Sequence, residues 1–95
     1  MSENTTSLNK EDIKVLIIDD LEFARKEIST ILEKHDFPII GEAANGKQAM
    51  EIQYKNDANI IIIDIFMPDI NGIDLAKHFQ ENFKNINMIM TSPIF

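Results

Sequence analysis

Two stretches of the sequence, KVLIIDD at 14–20 and NIIIID at 59–64, each run through four consecutive apolar residues and stop at acid. A short, unbroken apolar run rich in β-branched residues suits a strand covered on both faces, not one with a wet side. Such strands belong to parallel sheets, whose connections cross over the sheet faces. The pair of runs therefore calls for a layered α/β fold. It also gathers Asp19, Asp20 and Asp64 at one rim of the sheet, where strand tips lie side by side.

The remaining sequence supplies the crossovers. Leu21–Lys34 reads as a helix with Leu21, Ala24, Ile28, Ile31 and Leu32 on one face, its start capped by Asp19 or Asp20. Phe37-Pro38 closes the connection, and Ile39–Ala43 forms a short strand. Asn45-Gly46 signals a turn into a helix over about 47–55, with Ala49, Met50 and Tyr54 inward. Met67-Pro68-Asp69 ends the strand expected over 59–65. Asn71-Gly72 then opens a helix to about Phe83, with Leu75, Ala76, Phe79 and Phe83 facing the sheet. Asn87–Thr91 is the fourth strand. The predicted fold class is α/β, a doubly wound parallel sheet of four strands and three helices. Residues 1–12 read as a flexible polar leader and 13–95 as one domain.

Composition removes several function classes. A formal charge of -7 opposes direct nucleic-acid binding, which needs a basic stripe, and favours a cation or a basic partner. The absence of cysteine excludes disulfides, a thiol nucleophile and thiolate metal ligands. No apolar run approaches the ~20 residues that cross a membrane. The N-terminus lacks the basic start and apolar stretch of a signal peptide, so the expected compartment is the cytoplasm, where the Asn4-Thr5-Thr6 sequon has no use.

Each acid has an ordinary reading when taken alone. Asp19-Asp20 suits a helix cap with a solvated neighbour, and Asp64 suits a strand boundary. Converging at adjacent strand tips, three carboxylates raise one another's pKa unless a divalent cation offsets them. Mg2+, with Mn2+ as a substitute, takes oxygen ligands from one or two carboxylates and keeps open positions for a phosphate oxygen. Asp64 is then placed to attack a phosphoryl group and form an acyl phosphate. Thr91 ends the fourth strand where its hydroxyl could meet a phosphoryl oxygen, although strand termination alone also accounts for Thr91 and Ser92.

IIDD at 17–20, DIFMPDING at 64–72 and MTS at 90–92 together resemble the bacterial response-regulator receiver (CheY-like) domain. Pro68 four residues and Gly72 eight residues after Asp64 fit the family spacing, and Arg25 and GEAANGKQAM at 41–50 agree with it. The resemblance runs from about Lys14 to Phe95. It implies that Asp64 accepts phosphate from a sensor histidine kinase, a phosphotransfer protein or a small acyl-phosphate donor. It implies that Asp20 ligates Mg2+ directly, that Asp19 acts chiefly through water, and that Phe66 offers its backbone carbonyl. Thr91 becomes the hydroxyl that moves toward the phosphoryl group, and Ser92 the small neighbour that keeps the pocket accessible.

The family pattern continues with a helix, a fifth strand and a last helix, to make five strands and five helices. The lysine and the aromatic residue that the family places on or after the fifth strand have no counterpart here, and Lys84 does not take that role. A fragment of a longer protein, a naturally short receiver, and a sheet completed by another copy or partner each account for this; the first is favoured. Three functions compete. One is a phosphoacceptor switch acting on a partner or output domain. The second is a non-switching docking module, forming a homodimer or strand-swapped dimer through the fourth-strand edge. The third is an aspartyl phosphohydrolase, which needs a second aspartate where Phe66 stands. The first is the expected function, a phosphoacceptor and not a turnover enzyme. Asp69–Gly72 lacks the spacing of a calcium loop and reads as a turn, and His35 and His78 read as surface residues.

Overall fold

Strands β1 (Val15–Ile18) and β3 (Ile60–Asp64) pair in parallel at the centre of a four-stranded sheet, with β2 (Ile39–Ala43) outside β1 and β4 (Asn87–Thr91) outside β3. The computed structural model describes residues 10–92. Helix α1 (Glu22–Lys34) joins β1 to β2, α2 (Gly46–Asn56) joins β2 to β3, and α3 (Gly72–Asn82) joins β3 to β4. Element order, strand direction and the doubly wound α/β class all follow the sequence expectation. Of the expected leader, residues 1–9 lie outside the described residues. Lys10–Asp12 form a 3-10 turn, and Lys10 Nζ donates to the His35 carbonyl at 2.8 Å.

Alternation of side chains across the pleat sends the two apolar runs into two cores. Leu16, Ile18, Ile61 and Ile63 pack with Ala49 of α2 and with Leu75 and Phe79 of α3. Val15, Ile17 and Ile62 meet Ile28 and Leu32 of α1 on the other face. All four residues of β1 are buried. Each fully buried aliphatic side chain contributes about 1.5–3 kcal/mol, so the central strands are the most firmly held part of the molecule. Among the described residues β4 is an edge, with Ile89 51% and Met90 38% exposed.

Three local expectations need correction. Helix α1 is not capped by either aspartate; Leu21 occupies the cap position without a side-chain bond. In α1, Ala24, Ile28 and Leu32 are half-buried as expected and are joined by Arg25 and the buried Ser29, while Leu21 and Ile31 are 61% and 59% exposed. Arg25 sets this rotation. Its guanidinium donates to the Asp19 carbonyl at 2.6 Å and lies 3.6 Å from the Glu42 carboxylate, so that side of the helix must face the sheet. In α2, Tyr54 points outward and Gln53 is buried instead. The Gln53 carboxamide donates to the Ala58 carbonyl at 3.0 Å and accepts from the Ala58 N–H at 2.9 Å, which satisfies a buried turn that no apolar side chain could serve.

Candidate functional site

Strand order reverses between β1 and β3: one connection leads from β1 outward to β2, and the next crosses back to β3. At that seam the polypeptides leaving the two strand tips diverge and open a crevice. Asp19 and Asp20 follow β1 directly, and Asp64 is the last residue of β3. A carboxylate oxygen from each of the three lies within 4.8 Å of the others. Asp19 and Asp64 are buried and Asp20 is exposed, so the cluster has two fixed walls and one face to solvent.

Backbone groups aim these acids. Asp19 Oδ1 accepts from the Leu21 N–H at 3.0 Å, which bends the chain away from β1 toward α1. Asp64 Oδ1 accepts from the Phe66 N–H at 3.2 Å, the matching turn after β3. Burial pushes the Asp64 carboxyl above its ordinary 3.8, and the Asp19 and Asp20 charges push the same way. The Phe66 N–H opposes them in part. A carboxylate that is buried beside two like charges gains from a cation among them. The donor set is oxygen only, close-set and open on one side, which fits a hard divalent ion such as Mg2+.

Thr91 sits opposite Asp64 in the β3–β4 register, and the Ile65 N–H donates to its carbonyl at 3.0 Å. The Thr91 hydroxyl is 3.5 Å from the Ile63 carbonyl, a long contact that leaves it free to take a better acceptor. Thr91 and Ser92 share a groove with Asp19, Asp64 and Ile28 of α1. On the opposite side of the acids, Asp20 and the loop from Ile65 to Asn71 line a second cleft, where the Phe66 side chain is exposed. Gly72 closes that loop, its N–H donating to the Ile65 carbonyl at 2.7 Å. A Cβ at Gly72 would collide with the Asp64 carbonyl and come within 2.7 Å of the Ile65 Cα, so only glycine lets α3 start this close to the acid pocket.

The sequence model of the response regulator receiver domain matches residues 15–93. The chain belongs to the response regulator receiver domain family. Chemotaxis protein CheY of Thermotoga maritima is 37% identical to this receiver over 81 residues, covering 85% of the chain and 68% of that protein. A protein-glutamate methylesterase/protein-glutamine glutaminase of Methanococcus maripaludis is 39% identical over 83 residues, 86% of the chain and 22% of that protein. Among solved structures, the complex of the P1 domain of CheA3 with CheY6 from R. sphaeroides superimposes with a TM-score of 0.75 at 26% identity. That match covers 86% of this chain and 64% of the other. The receiver thus spans about two thirds of a CheY protein and less than a quarter of the methylesterase relative. It is a receiver of two-component response regulators, and none of its described helices is long and apolar enough to cross a membrane.

Every residue singled out in the sequence for this site lies at or beside the receiver's acid cluster. The bonds of two neighbours were not legible there. Arg25 holds the Asp19 backbone, and nothing in a six-residue spacing announces a side-chain bond to a carbonyl. Asp69, read as part of a turn, binds the start of α2 instead. Oδ1 accepts from the Gly46 N–H at 3.0 Å and Oδ2 from the Lys47 N–H at 3.2 Å. Those amides hold the Asp69 carboxyl below the usual carboxylate range, Gly46 foremost.

Proposed function

We propose that this receiver is a phosphoacceptor in two-component signalling, modified on Asp64 by a sensor histidine kinase or phosphotransfer protein. One observation carries the reading: a buried aspartate with a raised pKa shares a strand-tip crevice with two further carboxylates and a threonine hydroxyl. In the reaction an Asp64 carboxylate oxygen attacks phosphorus, and an acyl phosphate bond forms. The bond from phosphorus to the donor nitrogen or oxygen breaks, and the donor leaves with that electron pair. Asp20 would hold Mg2+ directly and Asp19 through water, with Asp64 and the Phe66 carbonyl as its remaining protein ligands. Bound there, Mg2+ offsets the charge that builds on the phosphoryl oxygens. Thr91 donates its hydroxyl to one of those oxygens, and Ser92 is small enough to leave the approach open. Phe66 stands where an aspartyl phosphohydrolase needs its second aspartate, so the chain acts as an acceptor that switches a partner or output domain and not as a turnover enzyme. We place the receiver in the cytoplasm, in line with the polar N-terminus read from the sequence.

Acetyl phosphate with Mg2+ is expected to add one phosphoryl group by intact mass, and Asp64→Asn to abolish the gain. A wild-type chain that stays unmodified by acetyl phosphate and by a histidine kinase would refute the reading. The exposed Ile89 and Met90 favour a second reading, a homodimer formed through β4. Sizing that shows a monomer across concentration removes it.

A further inference from the structure

Helix α2 has no sequence neighbour in the acid pocket, yet its first turn is completed by the loop that borders that pocket. The opening amides of a helix need acceptors from outside it. In α2, Gln48 N–H is taken by the Asn45 side chain at 2.9 Å and Ala49 N–H by the Asn45 carbonyl at 3.0 Å. Gly46 and Lys47 are taken by the two oxygens of Asp69, more than twenty residues away in sequence. A Cβ on Gly46 would run into Ile70 Cγ2, so the missing side chain is what lets this loop seat on the helix. Asp69 and Ile70 both line the cleft shared with Asp20, and the same loop carries Phe66. The loop is therefore fixed at three points: the Phe66 N–H on Asp64, the Gly72 N–H on the Ile65 carbonyl, and Asp69 on α2.

We infer that Asp69 is a positioning residue for the metal site, clamping the β3–α3 loop onto the start of α2 so that the Phe66 backbone is held beside Asp20 and Asp64. It touches no reacting atom; it acts through the loop. This rests on the proposed Mg2+ site. It adds a reciprocal consequence: a ligand that favours the seated loop must also favour the closed first turn of α2. Partners that orient metal ligands change affinity by about 10–100-fold when removed, and a backbone ligand held at two other points falls at the low end, near tenfold.

The test is calorimetric titration of the 95-residue chain with Mg2+ at a temperature where each variant is folded, paired with amide exchange. Asp69→Ala is expected to weaken Mg2+ about tenfold. Asp69→Asn, which keeps one oxygen acceptor, should lose less, and it carries the test if the alanine variant fails to fold. Asn45→Ala removes a cap from the same helix turn but leaves both Asp69 bonds in place; it should lower stability and weaken Mg2+ much less than Asp69→Ala does. In the wild type, Mg2+ should slow exchange at Gly46 and Lys47, and in Asp69→Ala this protection should vanish. Unchanged affinity in both Asp69 variants, or an equal loss in Asn45→Ala, overturns the clamp while the metal site stands. No uptake by the folded wild type removes the site and the clamp with it.

Discussion

Replacing Asp64 by asparagine should make the metal-free receiver more stable, although it removes the proposed phosphoacceptor. The carboxylate oxygens of Asp19, Asp20 and Asp64 lie within 4.8 Å of one another. At that distance two charges repel by about 1 kcal/mol in water and about 3.5 kcal/mol at an effective dielectric of about 20. Asp19 is buried and stands toward the larger figure, whereas Asp20 is exposed and screened toward the smaller or below it. Asparagine keeps an oxygen to accept the Phe66 N–H, so the turn survives. Allowing for relaxation and partial protonation of the wild type, the net gain is roughly 2 kcal/mol, or about 8–16 °C in Tm for a domain of this size. The pH dependence follows from the raised pKa of Asp64. A group with a folded pKa above its unfolded value contributes stability below the unfolded pKa and loses it as pH rises through the folded one. The advantage of Asp64→Asn should therefore be absent below about pH 4, grow as the pH climbs past the ordinary carboxylate range, and level off above the raised pKa of folded Asp64. Thermal melts of both chains in chelator across that range measure it. An Asp64→Asn chain no more stable than wild type at pH 7, or a difference that ignores pH, would show that the crowding carries no cost.

Gly72→Ala should destabilise the fold by about 1–3 kcal/mol in urea, because the new methyl meets backbone that cannot yield, at Asp64 and Ile65. Gln53→Leu should cost about 2 kcal/mol or more despite its greater hydrophobicity, since the buried Ala58 N–H and carbonyl lose their partners together; an unchanged urea midpoint would sink that account. Ile89→Glu should shift stability by less than about 0.5 kcal/mol and suppress any concentration-dependent association seen by sedimentation, because the side chain stands half exposed on an edge strand.

Much of this receiver is readable from its residues because its strongest signals are local. Four apolar residues followed by acid define a buried strand and its tip at once, so β1, β3 and the convergence of Asp19 and Asp64 need no tertiary information. Asn45-Gly46 and Asn71-Gly72 open α2 and α3 as read from the sequence, and in each the asparagine side chain caps the helix. The rotation of α1 was not legible, because periodicity weighs Leu21 and Ile31 by hydropathy while Arg25 decides the outcome through a bond to Asp19. Gln53 reads as a surface residue until its partner Ala58 is known. Asp69 could be placed only after α2 and α3 were known to share one face of the sheet. These bonds join residues far apart in sequence or depend on the backbone's path, and residue order alone carries no trace of them.

The four strands are not equally anchored, and that inequality has a mechanical consequence. Among the described residues the acids hang from β1 and β3, which are clasped on both sides, whereas Thr91 hangs from the outermost strand. A tug between Asp64 and Thr91 is resisted firmly at one end and weakly at the other. On the proposed reading the rigid partner would stay put and β4 would travel, with the exposed Ile89 and Met90 on it. Modification at the centre of the sheet, as proposed, would then be read at its border with the interior left in place.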